Sequence, residues 1–113
     1  DSLVVTDTSW HYTNCWEIEG SAHEVNLQLL NPEGLFLFFM EVQREKSQPP
    51  QNLVVTIGEA TYTAVVNKLR DTVYVGTVNF NTNSWIKIFL DPPPAYGHKV
   101  SGCGFWGLKP RDP

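Results

Sequence analysis

Residues 72–90 read Thr-Val-Tyr-Val-Gly-Thr-Val-Asn-Phe, then Asn-Thr-Asn-Ser, then Trp-Ile-Lys-Ile-Phe-Leu. β-Branched and aromatic residues dominate the first and last runs, and the residues between them are polar. This pattern predicts two strands joined by a turn. With Phe80 opposite Trp85, counting back along the predicted hairpin places Val78 opposite Lys87.

Alternation of side chains along each strand divides this predicted hairpin into two different faces. One face is mostly aliphatic and is expected to be core: Val75, Thr77, Asn79, Ile86, Ile88 and Leu90. The other face combines aromatic rings with a lysine and a glycine: Tyr74, Gly76, Val78, Phe80, Trp85, Lys87 and Phe89. Because a glycine has no side chain, Gly76 would leave room for a ligand on this aromatic face.

Residues 24–43 predict a second hairpin around the polar segment 31–34. Its core face has no polar atom other than the methionine sulfur: Val25, Leu27, Leu29, Phe36, Phe38 and Met40. The opposite face carries Asn26 and Gln28 and brings Glu24 opposite Glu41. Opposed residues on neighbouring strands lie about 5 Å apart, which is near the separation of the two carboxylates in retaining glycosidases. A calcium site and two carboxylates extending into water are the alternatives.

Eight or nine short strands follow from the same reading of the whole chain, the first at residues 2–6. No segment has a helical period over ten residues, and turn-forming residues recur between the strands. The sequence therefore predicts an all-β fold, an antiparallel β-sandwich for which a jelly roll is one arrangement. We expect one domain over residues 1–113, since this length supports a single core, with a frayed tail at residues 109–113.

Composition restricts the class of partner. The net charge is −4, and the eight basic residues are scattered, whereas nucleic-acid binding depends on clustered lysine and arginine. The longest apolar run, residues 35–40, is far shorter than the roughly 20 residues of a membrane-spanning helix. We expect neither nucleic acid as a partner nor a membrane span.

The two cysteines, Cys15 and Cys103, lie in strand-like runs near opposite ends of the chain. First and last strands of a sandwich are often neighbours, so we predict a disulfide between them. A disulfide favours an oxidising compartment, and thus a secreted or extracellular protein. The alternative is two buried free thiols that act as small hydrophobic residues.

The aromatic face has the chemistry of a carbohydrate site, which needs a flat apolar ring and a few fixed polar groups. If the two hairpins share a sheet, the candidate ligand-binding residues are Trp85, Tyr74, Lys87, Asn26, Gln28 and Glu41. The proline-rich loop at residues 91–98 is stiff and adds Tyr96 and His98 at an end of the sandwich, where binding loops cluster. The alternative is that the aromatic face packs inside the protein.

Three hypotheses for function follow. The first is a secreted, non-catalytic carbohydrate-binding module that needs no cofactor, although calcium is compatible with it. The second is an extracellular protein-interaction or adhesion domain, in which the same aromatic residues are hot spots. The third is a small glycoside hydrolase that uses Glu24 and Glu41. A shallow sheet surface in a chain of this length favours a binding module over an enzyme.

Overall fold

The fold is an all-β sandwich in a computed structural model, which describes residues 10–20, 24–29, 33–45, 49–80, 84–95 and 97–109, with the backbone alone at 10–14 and 84. The described strands are β1 (Trp10–Glu19), β2 (Glu24–Leu29), β3 (Gly34–Arg44), β4 (Gln51–Ile57), β5 (Ala60–Val66), β6 (Arg70–Phe80), β7 (Ser84–Asp91) and β8 (Lys99–Leu108). They form two antiparallel sheets, the first in the order β1-β8-β3-β6 and the second in the order β2-β7-β4-β5. The predicted antiparallel sandwich is therefore confirmed.

Two predicted segments lie wholly or partly outside the described residues. These are the strand at residues 2–6 and, within the predicted tail, residues 110–113. Lys109 is described, and its Nζ lies 5.4 Å from the centroid of the Phe36 ring, which is a cation–π distance. Among the described residues, no helix has the length and apolar character needed to cross a membrane.

Strand pairing is nested along the chain. β4 pairs with β5, β3 with β6, β2 with β7 and β1 with β8. The chain is thus one long two-stranded ribbon folded over on itself, which is the arrangement of a jelly roll. The pairs β3–β8 and β4–β7 then join the ribbon into the two sheets.

The two predicted hairpins are wrong. β2 and β3 lie in different sheets, and so do β6 and β7. Phe80 pairs with Gly34, and Trp85 pairs with Gln28. A connection of three or four residues can either close a hairpin or span the roughly 10 Å between packed sheets. Connection length therefore does not distinguish the two outcomes.

The core lies between the inner faces of the two sheets. Phe38 is fully buried, with its ring centroid 5.4 Å from that of Phe80 and 6.0 Å from that of Phe105. The second sheet faces these rings with aliphatic side chains: Leu29, Leu53, Val55, Ile57, Ile86, Ile88 and Leu90. The predicted core residues of β3 and β7 are confirmed, while Val25 and Leu27 of β2 are partly buried against the core.

The predicted faces of β6 are correct only in its first half. Val75 has no partner in the ladder between β3 and β6, whose register shifts at this point. Such a β-bulge reverses the direction of the side chains that follow it. After the bulge, Val78 and Phe80 are buried, and Thr77 and Asn79, predicted to be core, are exposed.

Arg44 joins three connections at one end of the sandwich. Its side chain is buried. Its Nε donates a hydrogen bond to the Lys68 carbonyl oxygen at 3.0 Å, and its Nη1 donates to the Pro49 carbonyl oxygen at 2.9 Å. The same Nη1 lies 3.5 Å from Oε1 of Gln51, whose Nε2 donates to the Pro92 carbonyl oxygen at 3.0 Å. The guanidinium fork thus fixes backbone segments that are distant in sequence.

The predicted disulfide between Cys15 and Cys103 is confirmed. It joins β1 to β8 and links residues 88 positions apart in the sequence. A crosslink over a loop of this length reduces the conformational freedom of the unfolded chain, which raises the stability of the folded state.

We expect the double variant Cys15→Ala/Cys103→Ala to lose about 4–5 kcal/mol of unfolding free energy, because the unfolded chain regains loop entropy. Urea denaturation measures this loss. A reducing agent should lower the midpoint of the wild-type protein and leave that of the double variant unchanged. Equal midpoints for the two proteins under oxidising conditions would contradict the expectation.

We expect Arg44→Lys to destabilise the fold by about 2 kcal/mol, because a lysine ammonium cannot replace the two-armed guanidinium and leaves buried acceptors unpaired. Arg70→Lys is the matched control, since Arg70 is exposed, and it should change stability by less than about 0.5 kcal/mol. Thermal unfolding compares the two variants, and equal losses would refute a special role for Arg44.

Candidate functional site

One exposed tryptophan stands on the outer face of the second sheet. Trp85 lies near the start of β7 and is 59% exposed. Its neighbours Ile86 and Ile88 are fully buried, so strand alternation directs Trp85 outward. Tryptophan is highly buried on average in folded proteins, which makes an exposed ring on a regular strand a candidate contact surface.

Polar side chains lie near this ring on the strands that flank β7, which is an interior strand. Gln28 of β2 pairs with Trp85, while Asn26 of β2 and Thr56 of β4 pair with Lys87 from its two sides. Along their own strands, Asn26, Gln28, Thr56 and Lys87 alternate with side chains that face the core. These four side chains therefore point outward, as Trp85 does. We call this set the Trp85 face: Asn26, Gln28, Thr56, Trp85 and Lys87.

The Trp85 face is close to electrically neutral. Lys87 Nζ lies 3.8 Å from Glu24 Oε2, and both side chains are about half exposed. An exposed pair of this kind contributes at most about 1 kcal/mol to stability, so either group can form hydrogen bonds to a ligand at little cost. Thr56 adds a hydroxyl group whose Oγ1 lies 3.5 Å from Oγ1 of Thr61.

A shallow cleft lies at the other end of β7. It has a volume of about 270 Å³ and is lined by Glu24, Phe89, Leu90, Asp91 and Pro93. Trp85 and Asp91 are six residues apart on one strand, which corresponds to about 20 Å. The cleft and the tryptophan therefore mark the two ends of the same outer strand face.

The prediction that Tyr74 and Trp85 share a face is wrong. Tyr74 belongs to β6 in the first sheet, where it is 43% exposed. Its ring centroid lies 5.1 Å from that of Phe39, and its hydroxyl forms a 2.9 Å hydrogen bond with Thr77. The two exposed aromatic residues thus lie on opposite outer faces of the sandwich.

The predicted carboxylate pair does not form. Glu24 pairs with Phe89 in the second sheet, and Glu41 pairs with Thr72 in the first. Since both side chains point away from the core, the whole sandwich separates them. The hypothesis of a hydrolase that uses Glu24 and Glu41 loses its geometric basis, and Glu41 lies apart from the Trp85 face.

The proline-rich loop lies at the opposite end of β7 from Trp85. His98 is half-buried, and its backbone carbonyl accepts a hydrogen bond from the Gly20 amide at 3.0 Å. The Nδ1 atom of His98 is buried with no hydrogen-bond partner among the described residues. Tyr96 lies outside the described residues. The structure therefore does not place His98 beside the predicted ring platform.

A second exposed ion pair lies in the first sheet. Lys99 Nζ of β8 lies 3.4 Å from Glu17 Oε2 of β1. Glu17 raises the pKa of Lys99 above its usual value, by accepting a hydrogen bond and by charge attraction, and Glu19 and Glu45 add to the attraction. This positive charge is far from the Trp85 face, so it does not alter the neutrality of that face.

The expected space over Gly76 is filled. Gly76 faces β5 of the other sheet, and a Cβ atom placed on it would lie 2.7 Å from Cδ2 of Tyr62. The missing side chain allows an aromatic ring of the same chain to pack against the strand. The prediction that a ligand approaches at Gly76 is therefore wrong.

Sequence reasoning placed four residues of the Trp85 face among the ligand candidates, but through an incorrect pairing. Asn26, Gln28 and Lys87 do lie near Trp85, because β2 and β7 are direct neighbours. Thr56 was missed, since nothing in the sequence of β4 indicates that it borders β7. The pairing of β4 with β7 is a consequence of the nested topology.

Comparison with known proteins identifies the fold only. No protein-family model and no curated protein matches the chain. Among solved structures, the insecticidal crystal protein Cry2Aa superposes with a TM-score of 0.64 and 13% identity over 92% of this chain. The chain spans only 22% of the length of that protein.

Two carbohydrate-binding modules are also similar. The CBM36-1 domain of a multidomain xylanase from the hindgut metagenome of Trinervitermes trinervoides has a TM-score of 0.62 and 12% identity, covering 85% of this chain and 78% of that one. A CBM36 module in complex with calcium and xylotriose has a TM-score of 0.56 and 10% identity, covering 91% of each chain. Both support the sandwich fold.

The described residues contain no cluster of carboxylates of the kind that usually holds calcium. Calcium takes six to eight oxygen ligands, usually including several carboxylates. Within the described ranges, no three His, Cys, Asp or Glu side chains are close enough to hold one ion. Glu24, which lines the cleft with Asp91, is already paired with Lys87.

We expect Gly76→Ala to lower stability by about 1–3 kcal/mol, because the new methyl group overlaps the Tyr62 ring. Asn79→Ala, at an exposed position on the same strand, is the control and should change stability by less than about 0.5 kcal/mol. In a double-mutant cycle by urea denaturation, Gly76→Ala with Tyr62→Ala should cost less than the sum of the single changes. Strict additivity would show that the two residues do not interact.

Proposed function

We propose that this chain is a non-catalytic carbohydrate-binding module, and that its Trp85 face binds a neutral glycan. The observation that carries the proposal is Trp85, which is 59% exposed and has the polar residues Gln28 and Lys87 beside it on the outer face of the sheet. The apolar side of a sugar ring stacks on such a surface, and adjacent amide, hydroxyl and ammonium groups reach its hydroxyl groups. The similar fold of two CBM36 modules supports this assignment.

The charge distribution favours a neutral ligand. Lys87 and Glu24 balance each other beside Trp85, and the whole chain carries a net charge of −4. A polyanionic glycan would meet one compensated lysine and long-range repulsion from the rest of the protein. A neutral glycan forms hydrogen bonds with the same groups at no electrostatic cost.

The flat outer face implies moderate affinity. A single exposed ring with a few hydrogen-bonding groups encloses little of a ligand, so we expect a Kd between about 1 mM and 1 μM. In the binding that we propose, only groups of the protein contact the glycan, without a metal ion or cofactor. The disulfide between Cys15 and Cys103 supports an extracellular setting, where a module of this kind meets polysaccharide.

A protein partner is the second candidate, and the aromatic cluster on the opposite face favours it. There Tyr74 and Phe39 are in ring contact, and Leu35 is 46% exposed. Aromatic side chains are enriched at interface hot spots. This candidate predicts a partner whose binding depends on Tyr74 and does not depend on Trp85.

The decisive experiment compares Trp85→Ala with Tyr74→Ala, because both remove an exposed aromatic ring but from opposite faces. A glycan array selects the ligand, with xylotriose as the first probe, and titration calorimetry measures its affinity. We expect Trp85→Ala to weaken binding by about thirtyfold, or roughly 2 kcal/mol, and Tyr74→Ala to leave it unchanged.

Three outcomes would contradict the proposal. They are unchanged affinity in Trp85→Ala, loss of affinity in Tyr74→Ala alone, and complete loss of wild-type binding in EDTA. Circular dichroism and urea denaturation of both variants serve as the folding control. A silent array would favour the protein-partner candidate.

A further inference from the structure

β5 forms an edge of the second sheet and lacks the features that usually protect an edge. Its sequence is Ala-Thr-Tyr-Thr-Ala-Val-Val, which contains no charged residue, proline or glycine. It pairs with β4 in regular register from end to end, so no bulge twists it away. Short uncharged segments of β-branched and aromatic residues readily add another strand.

Each of the other described edge strands has a feature that hinders the addition of another strand. β6 contains the bulge at Val75, and β1 has a register irregularity between Tyr12 and Cys15. β2 has one residue fewer than β5 and begins at the ion-paired Glu24. Charges, bulges and short length are common means of preventing strand addition. β5 is therefore the described edge best suited to accept a partner strand.

The turn before β5 determines which of its backbone N–H and C=O groups point away from β4. Gly58 and Glu59 form a two-residue turn, and such turns begin and end on a hydrogen-bonded pair. The N–H and C=O groups of Thr61, Thr63 and Val65 then point away from β4. No other described strand pairs with this edge. Val65 is 58% exposed and both threonines are exposed.

We infer that β5 pairs antiparallel with β5 of a second copy of this chain, about a two-fold axis at Thr63. In this register Thr63 is opposite Thr63 of the second copy, and Tyr62 is opposite Ala64. A large side chain thus meets a small one, while Thr61 meets Val65 on the outer face. The contact is self-complementary. It occupies the β5 edge of each copy, so no β5 edge remains for a third copy and the assembly stops at a dimer.

Charge complementarity favours a second copy over an unrelated strand. The same register places Glu59 opposite Asn67 of the second copy and next to Lys68. These residues are exposed at the two ends of β5. The two-fold axis therefore creates two equivalent attractions between opposite charges, one at each end of an uncharged strand.

The dimer would have a continuous eight-stranded sheet. A two-fold axis perpendicular to the sheet keeps both Trp85 faces on the same side, and five strand spacings separate the two β7 strands by about 24 Å. If the proposed glycan function is correct, the dimer binds a polymeric glycan through two sites and gains avidity. The strand pairing itself does not depend on that function.

Sedimentation equilibrium without glycan tests the dimer over micromolar to millimolar protein concentrations. One added strand buries less area than a standard interface of about 1,600 Å², so the mass should rise with concentration from 12.8 kDa towards twice that value. Thr63→Lys, which places two positive charges together on the axis, should remain monomeric. Thr72→Lys, at an exposed position on β6, is the matched control and should dimerise normally.

Cysteine crosslinking tests the register. Opposed residues of a hydrogen-bonded antiparallel pair have Cα atoms about 5.5 Å apart, which suits a disulfide. We therefore expect Thr63→Cys to form a covalent dimer under mild oxidation. The matched control Thr61→Cys should not, because its two copies lie about 13 Å apart along the strands.

Charge exchange provides a further test. Glu59→Lys should weaken dimerisation by about two- to fivefold, and adding Lys68→Glu should restore it. Three results would overturn the inference: a monomer at every concentration, crosslinking of Thr61→Cys as fast as that of Thr63→Cys, or growth of the mass beyond two copies. Because none of these measurements uses glycan, they are independent of the test of Trp85.

Discussion

The packing of two inner sheet faces against each other is the constraint on which the rest of the structure depends. Phe38, Phe80 and Phe105 of the first sheet are fully buried against aliphatic side chains of the second. Removing this apolar surface from water is the main favourable contribution to folding. It also requires every strand to turn one set of side chains inward, so each alternate set is presented on an outer face.

Nested pairing decides which outer side chains become neighbours. Since β2 pairs with β7, residues almost sixty positions apart in the chain stand side by side next to Trp85. The same pairing sends Tyr74 and Glu41 to the opposite side of the sandwich. A strand-face site of this kind is rigid, because its residues belong to a hydrogen-bonded sheet held by the core beneath it.

The features that stabilise the fold and the proposed recognition site lie in different parts of the molecule. The disulfide fixes β8 to β1, and the buried guanidinium of Arg44 joins connections at one end. Trp85 lies near the other end of its strand, away from the residues that Arg44 contacts. Changes on the Trp85 face should thus affect binding more than folding. The proposed pairing of two β5 edges would place two such faces on the same side of one sheet.

The sequence by itself determined the eight described strands and the inner faces of β3 and β7, and it predicted the pairing of Cys15 with Cys103. These features depend on local alternation and on the need to bury apolar side chains, both of which are visible in a single chain. It also indicated Trp85, Asn26, Gln28 and Lys87 as site candidates, because exposed rings and amides are the groups that strand alternation leaves outside the core.

Only the tertiary structure decided which strands are neighbours. The connections at residues 30–33 and 81–83 are short enough for a hairpin and long enough to cross between sheets, so their length did not reveal the choice. The bulge at Val75 exchanged the inner and outer side chains in the later part of β6. The Tyr62 ring filled the space over Gly76. Both depend on contacts between strands, and no local pattern in the sequence encodes such contacts.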